Sequence, residues 1–250
     1  MPPVRGTGTP STDLWGTMRD EFHQSLTDLV TDLADMCGRS AAMMYTASTA
    51  LLDAELDSCD RVAFDLKRLS RLGNAVHDRA YALLALHAPV ARDLRTVVSG
   101  LHIAADADRM GALAAHVART ARNRHPHHAL PRDVRDLFCD MGSTAVELAT
   151  DAQSAVATGD PQIARQVCTN DARMDALHRQ LFTEVICPDW AHGPLVASDL
   201  VLLGRFHERF ADHAVEIARR VYFQTTGAQL GAAERDLLVN QKPPEAPLRR

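Results

Sequence analysis

The sequence predicts an all-α protein with two similar halves of three helices each. Apolar residues recur at steps of three and four through most of the chain, which is the period of helices that bury one face. No segment shows the strict alternation of a β-strand, and the pattern of the first half begins again in the second. Apolar residues make up 46% of the chain but aromatic residues only 5%, and Ala, Leu and Arg outweigh β-branched runs.

The first half opens with a Gly-, Pro-, Ser- and Thr-rich arm, residues 1–12, for which we expect disorder. A long first helix is predicted over residues 14–54, which would extend for about 60 Å. Its apolar residues have the average period of 3.5 that is typical of helices packed lengthwise in a bundle. This stripe consists of Phe22, Leu26, Leu29, Leu33, Met36, Met43, Ala47 and Ala50.

The second and third helices are bounded by a polar turn and a proline. Asp57 and Ser58 predict a turn and a new N-cap. The second helix must end near His87, because Pro89 disfavours helix in the residue before it. Pro89 itself suits the first turn of the third helix, which we predict to run to about Arg124.

The helical pattern begins again after an aperiodic connection with two prolines, residues 123–131. A fourth helix is predicted as far as Gly159, a fifth over residues 163–185 and a sixth over residues 195–226. Gly227 is placed as the left-handed residue that ends the sixth helix.

The two halves share residues as well as a pattern. A displacement of 100 residues superposes residues 108–112 on 208–212, and 117–119 on 217–219. The sequence therefore predicts an internal repeat. The limits are an arm at 1–12, a first repeat at 13–125, a second repeat at 131–227 and a flexible tail at 228–250.

Composition and charge argue against several classes of function. The net charge is −5 with interspersed signs, which gives no electrostatic footprint for nucleic acid. The five cysteines are scattered without a CxxC pair, which argues against a disulfide framework and a zinc–thiolate site. No apolar run approaches the roughly 20 residues of a membrane span, and the N-terminus lacks a signal-peptide pattern. We expect a cytoplasmic protein without membrane insertion.

Acidic residues at helical spacing form the best candidate for a binding site. Glu208 and Asp212 project from one face of the sixth helix, and Asp171 and Asp175 have the same spacing on the fifth. Like charges four residues apart repel each other, so the arrangement favours a cation between them. If the two helices bring these pairs together, four carboxylates would suit a hard or borderline cation such as magnesium, manganese or iron.

Ion pairing is the alternative to metal binding at these acids, because the sixth helix is also rich in arginine. His207 and His213 lie on other faces of this helix and are interpreted as surface or packing residues. The histidines of residues 125–128 are interpreted as part of a polar linker that could bind a soft metal adventitiously. The arginines available to the acids are Arg205, Arg209, Arg219 and Arg220.

The sequence offers little for nucleophilic catalysis. It has no Gly-x-Ser-x-Gly elbow, no Gly-rich phosphate loop and no Cys beside a His at a helix start. Arg92, Asp93 and Arg95 form a compact charged group at the head of the third helix. We interpret them first as a structural ion pair and cap, and second as a partner-contact patch. We therefore expect no catalytic residue.

Two motifs in the expected order resemble the signature of the PhoU family. Residues 88–95 and then 107–111 match its first repeat, and residues 207–214 match its second. The similarity spans about residues 14–227, and the Ala-, Arg- and Asp-rich composition resembles actinobacterial members. The resemblance implies two tandem three-helix bundles related by pseudo-twofold symmetry, with Glu/Asp-x-x-x-Asp motifs that hold metal at the surface.

The resemblance also implies a function. Members of this family are negative regulators of phosphate uptake and phosphate-starvation signalling, which couple a phosphate-specific ABC transporter to its sensor histidine kinase by protein–protein contact. The expected partners are the transporter ATPase and permease, the kinase and a second copy in a homodimer. The expected cofactor is a surface metal (Fe, Mg, Mn or Zn). Arg109 and Arg209, in the repeated motif, join the third-helix group as candidate structural or partner-contact residues.

The first repeat departs from the family motif. Asp108 is followed four residues later by Ala112, so the second carboxylate is missing, and Asp106 and Asp78 are the possible substitutes. Any metal is therefore expected in the second bundle, with the first weak or empty.

Two other functions fit a helical bundle. A carboxylate-metal enzyme would pair Glu-x-x-His motifs on inward faces, a pattern that the sequence does not show. A histidine phosphotransfer module would need one exposed histidine, for which His207 and His213 are the candidates.

Overall fold

The computed structural model describes residues 12–230, with side chains described from Arg19 onward. The described residues form helices and connections without any strand. The predicted arm, apart from Thr12, and most of the predicted tail lie outside this range. The elements are α1 (Thr12–Asp53), α2 (Leu56–His87), α3 (Ala91–Arg124), a short 3-10 helix (Arg132–Val134), α4 (Arg135–Thr158), α5 (Pro161–Ile186) and α6 (Gly193–Thr226).

Most helix ends lie at the predicted turn residues. Gly227 ends α6 with a φ of 76°, and Gly159 ends α4 with a φ of 66°, both in the left-handed region that glycine favours. The Asp160 carboxylate caps α5 by accepting the backbone N–H of Gln162, and Pro161 occupies the first helical position.

Two predicted helix starts are wrong. Pro89 precedes α3 instead of lying in its first turn, because Ala88 in the left-handed conformation turns the chain out of α2 and Val90 is extended. Ser58 does not cap α2. It is buried in the first turn, where its hydroxyl donates to the Glu55 carboxylate at 2.6 Å.

Each half of the chain packs its three helices against one another. The halves then join along two seams, α1 against α4 and α3 against α6, which are as extensive as the contacts within each half. The α3–α6 seam is antiparallel, since Arg95 lies beside Gln224 at one end and Arg124 beside Asp199 at the other. A single apolar core therefore runs through both halves. Its largest fully buried side chains include Phe138, Phe210, Leu29, Leu33, Met43, Leu69, Ile103 and Met110.

Two glycines allow close approach of neighbouring helices. A Cβ on Gly111 of α3 would lie 2.3 Å from Leu69 Cδ2 of α2, and one on Gly204 of α6 would lie 2.3 Å from Leu181 Cδ2 of α5. The helix pairs α2–α3 and α5–α6 thus pack with their backbones close, which brings their outward-facing side chains together. Among residues 12–230, no helix combines the length and the apolar character that crossing a bilayer requires.

Candidate functional site

The four predicted carboxylates lie on the adjacent helices α5 and α6, and the pKa values of two of them, Asp171 and Glu208, are raised. The pKa of Asp171 is raised to about 6, first by burial and then by the negative charges of Asp175 and Asp212, against the opposing effect of Arg219. The pKa of Glu208 is also raised, by burial and then by Asp212. The fold therefore places four acids close together, which we call the acidic group, and within it Asp171 and Glu208 resist ionisation.

As they are oriented here, the four carboxylates do not form a finished metal site. Across the described range, no three His, Cys, Asp or Glu side chains converge closely enough to share an ion. Arg205 donates to both oxygens of Glu208 at 2.5 Å and so already provides a counter-ion. The oxygen donors fit a hard cation, but Glu208 would have to leave Arg205 and the acids would have to rotate toward one another.

The Glu208 side chain is mostly covered. Only 15% of its side chain is accessible, whereas Asp212 and Asp175 are exposed. The difference arises because α5 packs beside the acidic face of α6 and covers its inner edge. Glu208 forms an ion pair with Arg205, which is the alternative to metal binding that the sequence predicts.

The buried positions of the two repeats give the equivalent positions in the first half. A displacement of 105 residues pairs Cys59, Val62, Leu69, Val76 and Ala80 of α2 with the buried residues of α5. Those residues of α5 are Ala164, Val167, Met174, Leu181 and Val185. The buried residues of α3 and α6 correspond at a displacement of 100.

This register shows where the first bundle lacks the carboxylates of the second. The counterparts of Asp171 and Asp212 are Leu66 and Ala112. The counterpart of Glu208 is Asp108, which keeps its charge and accepts a hydrogen bond from Ser70 at 3.0 Å. One carboxylate is left where the second bundle has four.

The weaker metal candidates of the first bundle are not brought together. Asp106 faces α6, where its carboxylate contacts His213 Nδ1 at 3.0 Å and Arg109 at 3.7 Å. Asp78 is exposed on α2, about two turns beyond Ser70. Asp106 is therefore a seam residue between the repeats and not a partner of Asp108.

A cleft of about 480 Å³ lies beside the second-bundle acids, along the seam between α3 and α6. Asp171 and Asp212 line one side of it. The Asp106–His213 contact lies on the other side and has no signal in the sequence, because its partners are 107 residues apart and each looks like an ordinary helix residue. The cleft joins the acidic group to both repeats. Its other polar lining residues are His102, Arg109, Glu216, Arg219 and Arg220.

The remaining sequence candidates have structural positions. His207 is fully buried, packs edge-on against Phe138 with ring centroids 5.8 Å apart, and has its pKa lowered by burial, as a packing residue should.

The charged group at the head of the third helix is not an ion-paired cluster. Asp93 lies in the first turn of α3. Within the described range, Arg92, Asp93 and Arg95 form no ion pair with one another; Arg95 donates instead to the Gln224 carbonyl and links α3 to α6. Arg209 is exposed and likewise forms no ion pair with the described residues. The histidines at 125, 127 and 128 are exposed in the α3–α4 connection.

The raised pKa of Asp171 predicts a carboxylate that destabilises the metal-free fold. The folded-state pKa of about 6 exceeds the usual 3.8, so the folded chain binds more protons between these values and its stability falls as the pH rises through that window. Above pH 6, Asp171→Asn is expected to raise the melting temperature by about 2 to 4 °C, a small effect because solvent screens a half-exposed group. The gain should shrink as the pH falls from 6 towards 3.8.

Thermal melts with chelator at pH 4 to 8 test this expectation. Asp140→Asn removes an exposed carboxylate from α4 and is the matched control, with little change expected at any pH. A lower melting temperature for Asp171→Asn at pH 7.5 would mean that the ionised carboxylate stabilises the fold.

The helical pairs, the shared core and the acidic group define a class of tandem three-helix proteins, and comparison with known proteins identifies the family. The PhoU domain model matches residues 33–121 and 138–221. The phosphate-specific transport system accessory protein PhoU homolog 2 of Mycobacterium tuberculosis is 50% identical over 211 residues, covering 84% of this chain and 99% of that protein. PhoU homolog 1 of Mycobacterium leprae is 48% identical, covering 84% and 95%.

Two crystal structures share the fold. PhoU from Streptococcus pneumoniae superposes with a TM-score of 0.74 at 20% identity, covering 84% of this chain and 99% of that one. PhoU from Pseudomonas aeruginosa gives 0.73 at 24% identity, covering 83% and 100%. The chain belongs to the PhoU family, in agreement with the resemblance of its repeated motifs, and its similarity to the mycobacterial proteins indicates the actinobacterial type.

Proposed function

We propose that this protein is a negative regulator of phosphate uptake and phosphate-starvation signalling, which acts in the cytoplasm by contact and not by catalysis. Its partners would be the ATPase and permease of a phosphate-specific ABC transporter and the associated sensor histidine kinase. The observation that carries the proposal is the similarity to phosphate transport accessory proteins along both repeats, at 50% identity over 211 residues.

The mechanism would be a shift of population in the partners. A protein that binds the quiet state of a kinase or transporter better than its active state moves that equilibrium by the difference in affinity. The long helices and the continuous core suit this role, since they offer extended rigid faces. A homodimer would present each face twice.

A metal ion is proposed for the carboxylates of the second bundle. Asp171, Asp175, Glu208 and Asp212 would hold it, and a bound iron, magnesium, manganese or zinc ion would supply positive charge that removes the repulsion among them. Arg205 supplies part of that charge in the structure described here, so the protein's own residues regulate the site by competition. The single acid Asp108 gives the first bundle no comparable set.

Deletion of the gene is the direct test of the regulatory role. We expect phosphate-starvation genes to be expressed in phosphate-rich medium, because the kinase would no longer be held in its quiet state. A transcriptional reporter measured with and without phosphate gives the result, and a plasmid-borne wild-type gene should restore repression. Unchanged reporter activity in the deletion strain at high phosphate would contradict the proposal.

A further inference from the structure

The face of the first bundle that corresponds to the acidic group has a different chemistry. Between α2 and α3 lies an open groove of about 470 Å³, at the position that the acids and part of the seam cleft occupy in the second bundle. Its walls are mainly small or apolar side chains. The small or apolar lining residues are Val62, Ala63, Leu66, Ala112, Ala115 and Ala118, and the polar ones are Cys59, Asp60, Lys67, His116, Arg119 and Arg122.

The apolar lining lies at positions where the other repeat is charged. Leu66 replaces the counterpart of Asp171, and Ala112 replaces that of Asp212. Both residues are only half-buried, so the groove exposes apolar surface to water. The equivalent positions of the second bundle carry acidic side chains. An apolar centre inside a polar rim is the arrangement found at protein–protein interfaces.

The rim of the groove is basic. Lys67 on α2 and Arg119 and Arg122 on α3 surround it, and the one acid among the lining residues, Asp60, is already paired with Arg122. The excess of positive charge would attract an acidic partner and would repel a basic one.

The shape of the groove favours a helix. It runs along two adjacent helices from Cys59 to Lys67 on α2, a span of about 12 Å, or a little over two turns. A helix that lies in such a groove needs apolar residues three or four positions apart, with its charged side chains at the edges.

The two ends of this chain are poor occupants. Residues 1–11 carry a single charged side chain, Arg5, and residues 231–250 carry four basic and three acidic side chains, so neither segment has the excess of acidic side chains that the rim would attract.

We infer that the α2–α3 groove is the docking site for an acidic amphipathic helix of a partner protein, and that the two repeats have divided their roles between partner binding and cation binding. The inference rests on the proposed function and deepens it, since it assigns to one surface the contact by which the regulator reaches a partner. Apolar anchors of the partner helix would cover Leu66 and Ala112, and its acids would pair with Lys67 and Arg119.

Site-specific photocrosslinking in cells tests the position and the occupant. Benzoylphenylalanine replaces Ala63, an exposed residue of the groove wall, or, as control, Phe64, which is 61% exposed but points away from the groove. We expect the probe at 63, and not at 64, to crosslink to another protein. Mass spectrometry should place the crosslink in a net-negative segment with apolar residues at helical spacing. A crosslink to this chain itself, a crosslink to lipid, or equal labelling at both positions would overturn the inference.

Charge reversal measures the contribution of the rim. The crosslinked segment is synthesised as a peptide, and its affinity is measured for the full-length chain by fluorescence anisotropy. Lys67→Glu with Arg119→Glu should weaken binding by tenfold or more, whereas Arg61→Glu with Arg68→Glu, on the other face of α2, should change it less than twofold. Equal weakening by both pairs would indicate nonspecific attraction and would contradict a docked helix.

These results separate the inference from the proposed function. If deletion causes derepression but the groove gives no crosslink, the regulatory proposal stands and the docking site is rejected. A groove crosslink without derepression would keep the docking site and reject the role in phosphate signalling.

Discussion

Replacing Phe210 with alanine is expected to lower the free energy of unfolding by about 3 to 5 kcal/mol. Phe210 is fully buried in the apolar stripe of α6, where the core is continuous between the repeats. Truncation removes the transfer free energy of a large ring and leaves a cavity that helices on all sides prevent from closing. Urea denaturation followed by circular dichroism measures the loss.

An exposed leucine on the same helix is the matched control. Leu202 is 53% exposed, so Leu202→Ala should change the free energy of unfolding by about 0.5 kcal/mol or less. A loss below about 1 kcal/mol for Phe210→Ala would show that the core around α6 is looser than described.

The combined substitution Asp171→Asn and Asp212→Asn is expected to reduce the affinity for a divalent cation by at least about 100-fold. Changes outside the ligand shell alone typically cost ten- to hundredfold in metal affinity, and here two of four oxygen donors lose their charge. Calorimetric titration with manganese at pH 7.5 measures the effect. The pH matters because protons compete for Asp171, whose pKa is about 6.

Asp108→Asn supplies the control in the first bundle. The affinity should stay within about twofold of the wild-type value, because Asp108 has Ser70 for a neighbour and no second carboxylate at Ala112. If Asp108→Asn and the double variant weaken binding equally, the assignment of the cation to the second bundle is wrong. Absence of binding to the wild type at millimolar manganese would reject the metal site while leaving the regulatory proposal in place.

The fold could be predicted from the sequence largely because helix periodicity and helix ends are local. The apolar stripe of α1 predicts a long helix, and Gly159 and Gly227 predict helix ends. The helices occur where these signals place them. The start of α3 could not be predicted from such local signals. Pro89 is compatible with a first turn and with the residues before one, and the left-handed Ala88 that decides between them has no sequence signal.

The candidate site was less predictable because its determinants are distant in sequence or depend on rotamers. Spacing placed Asp171 and Asp175 on one helix and Glu208 and Asp212 on the next, but not the burial of Glu208 or its bond to Arg205. The Asp106–His213 contact joins the two repeats and has no signal in either one. The correspondence between the α2–α3 groove and the acidic group depends on which positions of α2 and α5 are buried, and spacing alone does not give this register.

The seams between α1 and α4 and between α3 and α6 also bear on how the duplicated halves can evolve. Because the apolar interior continues from one half into the other, neither half can lose its fold without exposing the other half's buried surface. We therefore expect the tandem to unfold as a single cooperative unit in which each repeat stabilises the other. Because the shared core supplies most of the stability, the outer surfaces of the two repeats can diverge. A repeated motif can then serve two different contacts at little cost in stability.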